Sequence, residues 1–330
     1  MRILIVDDSA LIRNILKTVF AETDDIELAG EASNGFQGLE MVKTLKPDLV
    51  LMDINMPVMN GLEAAGRIMA ECPVPICIFS NEVDSDLTVK ALGKGALDAV
   101  RKPDIDKMNE PEFLNMFLDK LKELSRAHIT RQRNTASAGR AGSAYNAVVI
   151  GASTGGPVTL KELLGRLPSD FPLGLALVQH IEDRFDKSFA AWLDSQTSLQ
   201  VRLASGGEEF IPGTLWVAPG NSHLVVSEGR LALENSPKVV NQRPAVDRLF
   251  ITAGEWFGKS LISVLLTGMG TDGADGCVYI KGKGGHTIVQ DESTSTIFGM
   301  PKAAIERGGA VKILPLPEIS SYLVQLAGKK

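Results

Sequence analysis

The sequence predicts two α/β domains in series: an N-terminal (βα)5 doubly wound domain, then a linker and a C-terminal, mainly parallel, doubly wound domain with a small antiparallel excursion. Three observations carry this expectation. The chain has 330 residues, more than a single hydrophobic core usually serves. Short β-branched runs alternate with helical periodicity from the first residue, and the same alternation restarts at Tyr145. Between the two lies RAHITRQRNTASAGRAGSA, which has no acidic residue and no large apolar face and therefore has nothing to bury.

Taken in order, RILIV is the first strand, a helix starts near Ser9, DLVLM and PICIFS are further strands, and a helix follows Gly61. ALDAV and the amphipathic EPEFLNMFLDKLKELS complete about five strand and helix pairs, which places the first domain at 1–124 and the linker at 125–144. The second domain, 145–330, has strands AVVIG, GLALVQH, SLISVLLTG and HTIVQ, with helical stretches such as DRFDKSFAAWLDS and PAVDRLFITAGEWF. From Leu199 to Leu233 short strands with Gly and Pro turns, LWVAPGNSHLVV and GRLAL, suggest an antiparallel excursion at the edge of the parallel sheet. No repeat of solenoid period is present.

Composition narrows the function classes. The chain is 44% hydrophobic, 22% charged and 5% aromatic, and it lacks the run of about eighteen apolar residues that a membrane span needs. The apolar start of MRILIVDDSALI ends after Val6, too short for a secretory leader, so a cytoplasmic location without membrane insertion is expected. A net charge of −6, from 34 basic and 40 acidic residues, offers no attraction to nucleic acid. Cys72, Cys77 and Cys277 form no C-x-x-C pair and suggest neither a disulfide framework nor a zinc site.

In parallel α/β sheets, residues at the carboxyl ends of strands converge on one crevice. In the first domain those positions hold Asp7 and Asp8, Asp53, Ser80, and Lys102 before Pro103. Three carboxylates together repel one another and call for a hard cation such as magnesium. Asp53 is the candidate nucleophile toward a phosphoryl group, with Asp8 and Asp53 on the metal and the lysine and hydroxyl on the remaining oxygens.

Asp7-Asp8, DINMPVMNG around Asp53, and Lys102-Pro103 together resemble the receiver domain of bacterial two-component response regulators. The resemblance implies that Asp53 accepts phosphate from a histidine kinase. It also implies Mg2+ held by Asp8, Asp53 and the main-chain carbonyl of Asn55, with Asp7 acting indirectly, and Ser80 and Lys102 on the phosphoryl group. The chain departs from the family at Ala99, three residues before the lysine, where receivers usually carry Phe or Tyr.

In the second domain AVVIGASTGGP sets a glycine-rich turn between a strand and a helix. A nucleotide cradle is one possibility, but GASTGG lacks G-x-G-x-x-G spacing, and the next strand ends in Gln179-His180 instead of an acidic residue for a ribose. The other takes Gly151, Ser153 and Gly155 as G-x-S-x-G, a turn that exposes a nucleophilic hydroxyl. It needs a base and an acid at other strand ends, and His180 and Asp272 are there, although Asp272 could instead cap the following helix. His223 and His286 belong to no such set, and His128 falls in the linker.

GASTGGP, the strand ending QH, VAPGNSH, RPAVDRLF, LTGMGTDGADG and IFGMPKAAIERGG resemble the chemotaxis protein-glutamate methylesterases, which also share the order receiver, linker, esterase. The resemblance implies Ser153 as nucleophile, His180 as general base and acid, Asp272 as the group orienting the imidazole, and main-chain amides including that of Met269 on the oxyanion. It implies hydrolysis of glutamate γ-methyl esters on methylated chemoreceptors, deamidation of receptor glutamines, and no cofactor in this domain. Ile181-Glu182-Asp183 departs from the Met-Pro that often follows the family's histidine. A receiver fused to an esterase that only binds receptors or drains phosphate, or the same esterase in a pathway other than chemotaxis, are the alternatives.

Overall fold

The computed structural model describes residues 1–80, 85–103, 110–127 and 144–328. The chain divides into two compact units, Met1–Ile129 and Thr130–Lys330. Most of the expected linker, with His128, lies outside the described residues.

The first unit alternates strand and helix throughout: β1 (Arg2–Val6), α1 (Ala10–Ala21), β2 (Glu27–Ala32), α2 (Gly35–Leu45), β3 (Leu49–Met52), α3 (Gly61–Glu71), β4 (Ile76–Ser80), α4 (Ser85–Gly93), β5 (Asp98–Arg101) and α5 (Pro111–Leu124). Three helix starts are set by side-chain caps, in which Ser9 accepts from the amide of Ile12, Asn34 from Gln37 and Asn60 from Glu63. Each cap satisfies an amide that the helix itself cannot. The strand order is β2-β1-β3-β4-β5, all parallel. The inner strands β3 and β4 are buried along their whole length, as expected of strands covered by helices on both faces. Phe79 of β4 packs on Phe117 of α5 at 5.5 Å between ring centres, and Phe117 stacks on Phe113.

The second unit runs β6 (Ala147–Ala152), α6 (Gly156–Leu164), β7 (Gly174–Gln179), α7 (Asp186–Asp194), β8 (Gln200–Leu203), β9 (Thr214–Val217), β10 (His223–Ser227), β11 (Arg230–Glu234), α8 (Val246–Phe257), β12 (Leu261–Leu265), α9 (Ala274–Gly282), β13 (His286–Gln290), α10 (Met300–Glu306), β14 (Lys312–Leu314) and α11 (Leu316–Ala327). Seven strands form one parallel sheet in the order β14-β13-β12-β6-β7-β9-β8. The antiparallel pair β10-β11 is a separate two-stranded sheet. The stretch from Leu199 to Leu233 thus divides: its first half joins the large sheet in parallel, and only its second half makes the hairpin. Local pattern reveals a short strand but not its partner, which is why the whole stretch reads alike in the sequence.

Helix α8 shows what holds this unit. Val246, Leu249, Phe250 and Ala253 recur at helical spacing and are completely buried. They pack in one cluster with Val149 of β6, Val178 of β7 and Leu224 and Val226 of β10. Burial of a side chain such as Phe250 stabilises by roughly 1.5–3 kcal/mol. The packing fixes the helix start, and with it the site described next.

Strand order also locates the crevice. Strand β6 has β7 on one side and β12 on the other, so the chain winds away from β6 in both directions. Ligand sites in open α/β sheets form at such a reversal, beyond the carboxyl ends of the strands.

Candidate active site and acidic receiver pocket

In the first unit Asp7, Asp53, Ser80 and Lys102 are buried at the strand ends, and Asp8 is exposed beside them. Lys102 Nζ lies 2.7 Å from Asp53 Oδ2 and 2.8 Å from Asp7 Oδ2, with all three side chains buried. Ser80 ends β4 and is buried beside them, its carbonyl accepting from the amide of Lys102. Asp53 Oδ1 accepts from the amide of Ile54 at 2.8 Å. Burial pushes the Asp53 carboxyl up to about 6 against the pull of Lys102. Burial alone would lower Lys102, but Asp53 and Asp7 outweigh it and hold the ammonium above its ordinary value.

Asp7, Asp8 and Asp53 present carboxylate oxygens within 4.8 Å of one another. Asp7 Oδ2 is buried, and its contact with Lys102 is a charge pairing without hydrogen-bond alignment. Three carboxylates facing one ammonium leave an excess of negative charge and oxygen lone pairs, which fits a divalent cation bound by hard donors. Gly61, in the turn after Asp53, has no alternative: a Cβ there would stand 2.1 Å from the carbonyl oxygen of Asp53. Ala99 is buried in β5 opposite Ile78, and the aromatic ring near the lysine is Phe79, 5.9 Å from Lys102 Nζ.

In the second unit Ser153 follows β6, His180 follows β7 and Asp272 lies in the turn after β12. Ser153 is anchored by its amide, which donates to Thr267 O at 3.0 Å, and by its carbonyl, which accepts from Gly156 N at 2.7 Å. The turn needs Gly155, whose φ is +76°, and Gly268, where a Cβ would stand 2.8 Å from that of Ser153. Pro157 sits in the first turn of α6, where its missing N–H costs nothing.

His180 Nε2 lies 2.8 Å from Asp272 Oδ2, and both side chains are buried. A carboxylate can only accept, so Nε2 carries the proton and the free lone pair of the neutral ring is on Nδ1. Nδ1 is buried and has no hydrogen-bond partner among the described residues. Asp272 also accepts from Val246 N at 2.7 Å and from Asp247 N at 2.9 Å. It therefore serves the start of α8, while α9 opens on Gly273 in the left-handed region. Free amides and the dipole at a helix start favour negative charge there. The neighbouring acid, Asp275, is exposed and paired with Arg307.

Met269, expected near the oxyanion, lies half-buried between Gly268 and Gly270 in the same turn as Asp272. The amide of Gly268 is taken by Ile297 O at 3.1 Å. His223 is wholly buried and braces the approach to α8, its Nδ1 accepting from Ala245 N and its Nε2 donating to Pro237 O, each at 3.1 Å. His286 meets Tyr322 through Nε2 at 3.1 Å.

Two supporting residues, Gln179 and Asp247, carry no role that their sequence pattern reveals, although both stand inside the distinctive motifs QH and RPAVDRLF. Asp247 is buried behind Asp272, and its Oδ1 accepts from Gly276 N at 2.7 Å. Burial pushes its carboxyl up to about 7, against the bond from Gly276 and with the charge of Asp272 adding to the rise. Between about pH 4 and pH 7 the folded chain thus holds a proton that the unfolded chain has released, so stability from this group is lost as pH rises through that window. Asp247→Asn keeps an oxygen for Gly276 and cannot ionise. It is expected to raise the melting temperature at about pH 8 and to raise it much less at about pH 5; equal shifts at both would refute the ionisation.

A parallel sheet with a pocket of acids and a lysine at its strand ends, followed by an α/β unit with Ser, His and Asp at strand ends, is the architecture of a response regulator whose output is a hydrolase. Comparisons with known proteins agree. The response regulator receiver domain matches residues 3–110 and the CheB methylesterase family matches residues 148–323. A Pyrococcus horikoshii protein named protein-glutamate methylesterase/protein-glutamine glutaminase is 40% identical, over 98% of this chain and 93% of its own length. An Anaeromyxobacter dehalogenans protein of the same name, numbered 2, is also 40% identical, over 99% and 97%. The crystal structure of the Thermotoga maritima CheB methylesterase catalytic domain is 42% identical with a TM-score of 0.53, and covers 56% of this chain and 99% of that one. The chain belongs to the CheB methylesterase family, with a receiver domain at its N-terminal end.

Proposed function

We propose that the second unit hydrolyses glutamate γ-methyl esters on chemoreceptors, releasing methanol, and deamidates receptor glutamines at the same site, under control of phosphorylation at Asp53. The observation that carries this is the constellation at the β6, β7 and β12 ends, where a serine turn and a histidine bonded to a carboxylate at 2.8 Å share one crevice. Names of the relatives supply the substrate class.

Ser153 Oγ attacks the ester carbonyl while its proton passes to His180 Nδ1, the lone pair that Asp272 leaves free. The imidazolium is stabilised through Nε2 by Asp272 and then protonates the departing methoxide oxygen as its C–O bond breaks, releasing methanol, or the departing amide nitrogen, releasing ammonia when the substrate is a glutamine. Water deprotonated at Nδ1 hydrolyses the acyl-enzyme and regenerates Ser153. The Met269 amide is an oxyanion donor in both halves.

In the first unit Asp53 takes the phosphoryl group of a kinase phosphohistidine, and Lys102 and Ser80 bind its oxygens. Asp8, Asp53 and the main-chain carbonyl of Asn55, with Asp7 acting indirectly, would hold a magnesium ion, which would supply charge screening for that transfer. Phosphorylation at Asp53 raises esterase activity by shifting a two-state equilibrium of the protein. Among the described residues no helix is long and apolar enough to cross a membrane; the protein acts from the cytoplasm on receptors held there.

The test is methanol release from methylated receptor membranes, with and without a small phosphodonor and Mg2+. The intact chain is expected to release methanol faster with the phosphodonor, and Asp53→Asn is expected to keep only the basal rate. No release under either condition would overturn the receptor substrate, and an undiminished response in Asp53→Asn would overturn the control site.

A further inference from the structure

We infer that Gln179 is a positioning residue that couples the nucleophile to its base, by holding the main-chain carbonyls of Ser153 and His180 with one side-chain amide. This rests on the assignment of Ser153 and His180 proposed above.

Gln179 is the last residue of β7, a strand otherwise composed of Gly, Leu, Ala and Val. Its side chain is buried, and an amide in such surroundings is unfavourable unless its hydrogen bonds are made. Nε2 makes two, donating to Ser153 O and to His180 O, each at 2.9 Å. Both partners are carbonyls, so the amide cannot be turned over without setting oxygen against oxygen. Oε1, by contrast, is buried with no hydrogen-bond partner among the described residues. A residue kept only to fill space would be better as Leu or Met. What this amide provides is its pair of donors, at the cost of an unserved acceptor.

The neighbouring chain is shaped around it. A Cβ on residue 156 would stand 1.9 Å from Gln179 Oε1, so the third glycine of GASTGGP gives the amide its room. The β6-β7 ladder ends at the pair Ala152 and Gln179, followed by one last bond from His180 N to Ala152 O at 2.9 Å. Beyond that bond the turn bearing Ser153 and the turn bearing His180 diverge. Gln179 is the cross-link between them: Ser153 O closes the serine turn by accepting from Gly156 N, and His180 O belongs to the residue that carries the imidazole. The relative placement of Oγ and Nδ1 therefore depends on this amide, and a misplacement of about 1 Å at reacting atoms can cost on the order of a hundredfold in rate.

Gln179→Met keeps length and apolar volume and removes both donors. In the full-length chain with phosphodonor, it is expected to lower kcat for methanol release by about ten- to a hundredfold with KM changed less than about twofold. Acylation of Ser153 by a fluorophosphonate, which needs no receptor, should slow by a similar factor across the pH range. The midpoint of its acid limb should stay in place, because the His180–Asp272 pair is untouched. Gln179→Asn, one methylene short, cannot reach both carbonyls and should fall between Met and wild type; it decides the matter if Gln179→Met does not fold. Wild-type kcat and labelling rate in a folded variant, or a loss that only follows the folded fraction, would show that Gln179 merely packs. Ser153→Ala in the same assay separates the two levels of argument. Full activity there would overturn the nucleophile itself, whereas an inactive Ser153→Ala beside a normal Gln179→Met would overturn only the positioning role.

Discussion

Ser153→Ala is expected to lower methanol release by about six orders of magnitude, to the residual rate that binding and oxyanion contacts alone sustain in serine hydrolases. The reason is local. Ser153 is held on a turn whose amide and carbonyl are both engaged, by Thr267 O and Gly156 N, and Gly268 packs so close to it that a Cβ there would stand 2.8 Å from that of Ser153. Removing one oxygen from such a position leaves the turn intact, so folding and receptor binding should survive while acylation does not. Receiver phosphorylation should also survive, because Asp53, Lys102 and Asp7 form their own buried cluster in the other unit. Methanol release at near wild-type rate, measured on receptor membranes, would remove Ser153 from the mechanism. Receptor binding without release in the wild-type chain would instead favour a regulator that binds and does not hydrolyse.

Asp272→Asn is expected to lower kcat by about four orders of magnitude, and here the cause is a tautomer. Asp272 accepts three bonds, from His180 Nε2, Val246 N and Asp247 N. An asparagine has one oxygen and one NH2. With its oxygen in the place of Oδ1, on Asp247 N, its NH2 replaces Oδ2, the oxygen shared by Val246 N and Nε2, and Nε2 must then accept. The imidazole proton moves to Nδ1, the nitrogen that must take the serine proton, and the base is lost. The measurement is kcat alongside a melting curve: the loss should persist in fully folded protein and should lessen at high pH, where a serine alkoxide forms without the base. Near-normal activity would mean that another group orients His180; Asp275, though exposed and paired with Arg307, would be examined next.

Much of this site is legible in the amino-acid sequence. Asp7, Asp8, Asp53, Ser80, Lys102, Ser153 and His180 each stand at or just after the end of an apolar run, and in a parallel sheet that position alone directs a residue to the shared crevice. Asp272 is legible as a turn residue, but the helix that its carboxylate serves is not. That helix is α8, which precedes Asp272 by 26 residues, and not α9, which follows it. Gln179 and Asp247 escape notice because a buried amide and a buried acid have no periodic signature. One reads as the polar end of a strand and the other as an ordinary first-turn helix acid.

By itself the sequence determined the two α/β units, their order along the chain, and the set of side chains presented at the strand ends. These follow from the alternation of apolar runs with turns, which is local and survives without knowledge of what touches what. Only the tertiary structure decided that β8 and β9 join the large sheet in parallel while β10 and β11 stand apart. The same holds for the choice of Nε2 over Nδ1 for Asp272, and for the amide of Gln179 that spans two turns. Strand partners, ring nitrogens and buried hydrogen bonds are settled by contacts between residues far apart in the chain. Their energies depend on desolvation in one particular packed interior, and no window of sequence contains that.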